Sequence, residues 1–139
     1  MTEPPLANSV DATLLGRYRC EVTARSHLIP VDEPAEAGGD DTGPQPTELL
    51  LAALASCYAL ALSHVAAKRG IDLGPVEVKA TGTYDGPSFS DLVLDVAVGG
   101  DHERLDDLLE RAKAVCYVSN TLARTPPVTI RRGEQAGPR

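Results

Sequence analysis

Tryptophan is absent from the chain, phenylalanine occurs once and tyrosine four times. So few rings exclude a stacking platform for bases or sugars, and they leave the core to Leu, Val and Ala. Positive charge is short as well: 13 Lys and Arg stand against 20 Asp and Glu, a formal net charge of −7. That balance argues against nucleic acid or an anionic membrane as a partner. The one basic run, Arg124, Arg131, Arg132 and Arg139 in a stretch ending Gly-Pro-Arg, reads as a solvated tail.

Ligand-bearing patterns are missing too. Cys20, Cys57 and Cys116 lie 37 and 59 residues apart, with no Cys-x-x-Cys, and His27, His64 and His102 occur singly. Zinc needs three or four ligands at compatible spacing, so no metal site is expected. There is no Gly-x-Gly-x-x-Gly and no Walker Lys-Ser/Thr pattern. Gly38 and Gly39 precede acidic Asp40 and Asp41, a poor phosphate cradle, so no bound cofactor is expected. Ser56 and Ser63 lack the Gly-x-Ser-x-Gly turn of an esterase elbow. The polar, Pro-bearing stretch Met1–Ser9 has no apolar leader segment, which points to a cytoplasmic protein. The longest apolar run, Leu49 to Leu62, is broken only by Ser56. It reads as too short for a bilayer and so as a buried helix.

What is present fits one domain over residues 12–132, with flexible ends at 1–11 and 133–139. From Ala12 to Ile29 the residues alternate as strands do, with a turn at Ala24-Arg25-Ser26-His27. Pro30, Pro34, Gly38, Gly39, Gly43, Pro44 and Pro46 then crowd into a long loop of the kind that carries function or mobility. A helix follows from about Thr47 to Arg69, closed by Gly70. It is apolar nearly all the way round, which predicts a central position and a second subunit to help cover it. Val76–Tyr84 and Phe89–Val98 read as a hairpin turning at Asp85-Gly86-Pro87-Ser88. A second helix, capped by Asp101, carries the stripe Leu105, Leu108, Leu109, Ala112, Val115 and Cys116, with Cys116 in its last turn. Asp107 and Arg111 form an i,i+4 pair on its outer face. Pro126–Ile130 suggests a final edge strand. The order defines an α+β fold.

Buried cysteine is usually packing, and Cys20 has no neighbour that argues otherwise. An odd thiol count in a chain read as cytoplasmic makes redox chemistry at one of the others worth testing. His64, seven residues after Cys57, shares its helix face but lies about 10 Å along the axis. That exceeds the reach of a general base, so His64 does not activate Cys57 within one helix.

Two segments carry a resemblance. Gly39-Asp40-Asp41-Thr42-Gly43-Pro44-Gln45-Pro46-Thr47-Glu48-Leu49-Leu50-Leu51-Ala52-Ala53-Leu54-Ala55-Ser56-Cys57 is similar to the helix start and first cysteine of the OsmC/Ohr family, the osmotically inducible and organic hydroperoxide resistance proteins. Ala114-Val115-Cys116-Tyr117-Val118-Ser119-Asn120-Thr121-Leu122 resembles the family's second-cysteine segment, where Pro is usual at the place of Tyr117. The resemblance implies an intertwined homodimer with central helices wrapped by antiparallel β-sheets. It also implies a thiol-dependent peroxidase: Cys57 attacks an organic hydroperoxide, Cys116 resolves the sulfenic acid as a disulfide, and an external dithiol restores both.

The chain departs from the better-characterised branches in one respect. Their catalytic glutamate directly follows the helix-start proline, where this chain has Thr47. Glu48 comes one residue later and is half a turn out of phase with Cys57 at about 100° per residue. Arg25 is the first candidate for an activating cation, with Arg17 and Arg19 competing. The Pro-x-Glu-Leu-Leu-Leu pattern resembles a less characterised OsmC-like branch. The alternatives are an OsmC-like dimeric module that binds a small apolar ligand, its thiols sensory or vestigial, and a purely structural dimer with two packed cysteines.

Overall fold

In the computed structural model, residues 3–100, 102–134 and 136–137 are described. The fold is α+β. Strands β1 (Asp11–Gly16), β2 (Arg19–Ala24) and β3 (His27–Val31) form one antiparallel sheet in the order β1-β2-β3. Helix α1 spans Pro46–Ala67, β4 (Val76–Asp85) pairs with β5 (Ser88–Val98), and helices α2 (Leu105–Val115) and α3 (Tyr117–Ala123) close the order. The chain divides into two compact units. One holds Met1–Ala55 and Ala80–Leu94; the other holds Ser56–Lys79 and Asp95–Arg139.

The sheet-bearing unit follows its turn chemistry. Arg25 takes φ 55° in the β2–β3 turn and Arg17 φ 33° in the β1–β2 turn, so both β-turns put a non-glycine residue in the left-handed region. The hairpin turns on Gly86-Pro87. Gly86 supplies φ 59° at the first central position, and proline at the second cannot follow it there, which is the type II′ pattern. Phe89 lies against Gly82, where an added Cβ would meet its ring at 2.6 Å, and its ring centroid is 4.7 Å from that of Tyr84. Along β5, Leu92 and Leu94 are half-buried while Val93 is exposed, the alternation expected of a strand with one face covered.

The long loop is pinned rather than loose. Asp32, 1% exposed, accepts hydrogen bonds from the Glu33 amide (2.8 Å), the Thr42 amide (3.1 Å) and the Thr42 hydroxyl (2.7 Å). The Thr42 hydroxyl bond leads the causes that hold this carboxyl below its usual range, the loop amides adding to it against the opposing cost of burial. The Asp32 amide donates to the Pro44 carbonyl and the Asp41 amide to that of Glu33, tying the two limbs of the loop together. Backbone passes so close at Gly39 and Gly43 that a Cβ at the first would strike the Glu33 carbonyl, and at the second the Pro30 carbonyl.

Helix α1 begins with Pro46 in its first turn, where a missing amide costs nothing. The Glu48 carboxylate accepts the Gln45 amide at 2.9 Å, the reciprocal half of a capping box. At the other end Gly70, φ 65°, donates to Ala67 and Ile71 donates to Ala66, a Schellman close. The helix is therefore 22 residues long, about 33 Å at 1.5 Å per residue. This corrects the sequence expectation of a segment too short for a bilayer: α1 is long and apolar enough by length and composition, a test that the core helix of a globular protein also passes. Nor is it buried all round. Leu54, Tyr58, Ala61, Leu62, Val65 and Ala66 are buried, whereas Leu50 and Leu60 are 39% and 73% exposed.

Among the described residues of the helical unit, Leu62, Leu108, Ala112 and Cys116 are fully buried, each at 0% exposure. Removing a leucine side chain from such a site costs about 2–5 kcal/mol. Three sequence expectations fail here. Cys116 is not in the last turn of α2 but at its C-cap, in extended conformation (φ −80°, ψ 108°), and it is also the residue that opens α3. Val115, placed on the apolar stripe, is 48% exposed. Pro126–Ile130 forms no strand: two consecutive prolines remove two ladder donors, and Val128 and Ile130 stand 86% and 93% exposed. Asp101, the expected cap of α2, lies outside the described residues, as does Arg139; Arg104 occupies the cap position without a side-chain cap bond.

Candidate active site

The structure brings together two residues that the sequence separates by 59 positions. Cys57, half-buried in the middle of α1, and Cys116, buried at the α2–α3 junction, are both free and lie close enough for each thiol to bear on the other's ionisation. Each is placed by a different local rule. Cys57 sits at the edge of the buried stripe of α1, one residue before Tyr58. Cys116 is held where one helix ends and the next begins, so its backbone is extended while its side chain points into the core.

Burial pushes the Cys116 thiol above the usual cysteine range, and the neighbouring Cys57 adds to the rise. The amides of Ser119 and Val118, in the first turn of α3, act in the opposite sense by favouring thiolate. Their geometry stops short of a side-chain cap bond. Burial prevails, so Cys116 stays a protonated thiol where a free cysteine ionises. Tyr58 flanks it. Its hydroxyl donates to the Leu109 carbonyl at 2.8 Å, and its own ionisation is pushed up by burial, then by Glu110 and Cys116. Sequence reasoning passed over Tyr58; its place beside Cys57 on a helix with a single buried stripe was the available signal.

The other candidates have the following places. Glu48 is engaged in capping α1, its carboxylate accepting the Gln45 amide. Arg25 sits in the β2–β3 turn, Arg19 opens β2, and Arg17 lies over the Tyr18 ring at 6.0 Å, all within the sheet-bearing unit. Cys20, in β2 opposite Val31 and Leu14, is a free, half-buried strand residue. His64 is exposed at the rim of a cavity formed by the C-terminal half of α1 and by α2. Among the described residues no group of three or more His, Cys, Asp or Glu side chains is placed to hold a metal ion.

Solved structures repeat this fold. A candidate osmotic stress induced and detoxification response protein from Psychrobacter arcticus superposes with a TM-score of 0.73 at 18% identity, over 87% of this chain and 91% of that one. An organic hydroperoxide resistance protein from Elizabethkingia anophelis, with thiocyanate bound, gives 0.65 at 24% identity, over 89% and 93%. A proposed organic hydroperoxide resistance protein from Vibrio cholerae, holding captopril in one of its active sites, gives 0.63 at 25% identity, over 89% and 90%. No curated protein matches the chain. The family described as OsmC-like protein matches residues 38–131, a span that runs from the pinned loop through both thiols. With that match over most of its length and the fold in agreement, this chain belongs to the OsmC-like family.

Proposed function

We propose that the protein is a thiol-dependent peroxidase for organic hydroperoxides. The observation that carries this reading is the proximity of Cys57 and Cys116, two free thiols that belong to no metal-binding group among the described residues. Cys116, fully buried and kept protonated, is shielded from peroxide, so half-buried Cys57 is the attacking residue. Its thiolate attacks one peroxide oxygen: an S–O bond forms, the O–O bond breaks, and the alkoxide leaves to take up a proton as alcohol. Cys57 is thereby oxidised by two electrons to the sulfenic acid. The Cys116 sulfur then attacks that of Cys57. An S–S bond forms, the S–O bond breaks, and hydroxide departs with the Cys116 proton as water. An external dithiol returns two electrons and two protons and leaves as its own disulfide.

The apolar outer face of α1, with Leu60 73% exposed, supports a homodimer in which a second chain covers it. The charge balance supports a cytoplasmic protein without nucleic-acid or membrane partners. The organic hydroperoxide resistance proteins that share the fold support the substrate class.

The test is to treat reduced protein with cumene hydroperoxide, following peroxide loss and intact mass together. Peroxide loss with a fall of about two mass units, reversed by dithiothreitol, is expected from the disulfide step. Undiminished peroxide with unchanged mass sinks the reading. In that case the engagement of Glu48 in capping would favour the second one, a dimeric module that binds a small apolar ligand with sensory thiols.

A further inference from the structure

One cavity of the helical unit gathers basic side chains in a chain that has few of them. A cavity of about 280 Å³ is rimmed by His64, Lys68 and Arg69 from the α1 end and Arg111 from α2, with Val65 and Val115 among the apolar residues lining it. No Asp or Glu lines it, although acidic residues outnumber basic ones 20 to 13 in the chain. Part of this charge has a structural use. Arg69 donates to the Val65 carbonyl at 2.9 Å, and Arg111 uses its Nε on Asp107 at 2.9 Å. Offsetting the negative end of α1 accounts for Lys68 and Arg69. It does not account for Arg111, which comes from a different helix and lines the same space.

The cavity is tied to the thiol pair along both helices. His64 follows Cys57 by seven residues on the same face of α1, about 10 Å along the axis, and Val115 immediately precedes Cys116. A ligand with its reactive group at Cys57 and an apolar body over Val65 and Val115 brings its far end to the cations. A carboxylate is the group they complement: Arg presents paired donors to it and Lys a point charge.

Resting on the peroxidase reading, we propose that this cavity is an anion subsite, binding the carboxylate of a small amphiphilic reactant of the Cys57–Cys116 pair. The carboxylate belongs either to the hydroperoxide or to the dithiol that reduces the disulfide, and kinetics separate the two. In one arm, cumene hydroperoxide is compared with its para-carboxylate under dithiothreitol. In the other, a carboxylate-terminated 1,3-dithiol is compared with its primary amide under cumene hydroperoxide. Each pair is run on wild type and on the double variant Lys68→Gln/Arg111→Gln. Wild type is expected to prefer the acid in one arm, and the variant to lose about tenfold of that preference, the size of two exposed charge contacts acting together. The arm that responds names the source. Equal kcat/KM for acid and neutral partner in both arms overturns the subsite even if peroxide is consumed briskly.

A chain inactive toward peroxide removes the peroxidase reading and leaves the subsite to a direct measurement. Calorimetry with the inert 4-isopropylbenzoate should show binding to wild type that is weakened by added salt and by the double variant. No heat of binding to wild type overturns the subsite.

Discussion

The two compact units are ordered by different means. In the helical unit, apolar side chains do the work: Leu62, Leu108 and Ala112 are buried, and the thiol of Cys116 is buried as completely as they are. In the sheet-bearing unit, the fully buried residue of note is a carboxylate, Asp32, and order comes from its hydrogen bonds and from backbone crossing at Gly39 and Gly43. A core of leucines tolerates little loss of volume but is indifferent to pH. A polar pin is the reverse, since its strength depends on one proton. The thiol pair therefore sits in the unit whose core is apolar.

The largest effect should come from the thiols themselves. Cys57→Ser should reduce peroxide consumption to the uncatalysed rate, with no peroxide-dependent change in intact mass. Cys116→Ser should still form a sulfenic acid at Cys57, trapped by dimedone, and then lose activity over successive turnovers as that acid oxidises further. Retained multi-turnover activity in Cys57→Ser would remove the residue from the chemistry altogether.

Next in size is the apolar core. Leu62→Ala or Leu108→Ala should each lower unfolding stability by about 2–5 kcal/mol in urea titrations, since both side chains are fully buried. The matching change in the other unit is Gly39→Ala, whose Cβ would meet the Glu33 carbonyl and lie 2.8 Å from Asp32 Oδ1. It should destabilise by about 1–3 kcal/mol, within the range for local backbone strain. It should also raise hydrogen exchange at the Thr42 amide more than at the amides of α2. Equal exchange at both would dissolve the contrast between the units.

Acid should separate the units without any mutation. Asp32 has its ionisation lowered, chiefly by the Thr42 hydroxyl. Its contribution is complete above the unfolded carboxyl value near 3.8 and fades as pH falls through the lower folded one. Thr42 amide protection should weaken in that window, and Asp32→Asn should remove the dependence. For Cys116 the sign is opposite: its raised ionisation adds stability that is whole below the ordinary thiol value of 9.0 and erodes as pH climbs through the folded one. The smallest effect belongs to the exposed Arg111–Asp107 pair, 2.9 Å apart on one helix face. Asp107→Asn should leave the urea midpoint of unfolding unchanged within the error of the titration.

How far the sequence could be read followed the range of the physics involved. The turn at Arg25-Ser26, the hairpin through Gly86-Pro87, the Asp107–Arg111 pair and the Gly70 stop are set by neighbours in the chain, and each was legible. Cys57 and Cys116 stood out only through the family resemblance, because periodicity alone gives two core cysteines. Three things escaped. The bond from Asp32 to Thr42 spans ten residues of loop without periodicity. The junction at Cys116 breaks a stripe that looked continuous, since its backbone leaves the helix just where the thiol turns inward. His64, Lys68, Arg69 and Arg111 are residues of ordinary type until two helices put them around one cavity.

The exposure of Leu60 has a consequence for how the protein is assayed. This leucine is one turn beyond Cys57 on α1, with most of its surface open to water in the single chain. A helix face of that kind, once covered by a second copy, links the order around the thiol to mass action. Specific activity should then be a property of concentration: constant when the protein is abundant, and falling on dilution below the point at which two chains part company.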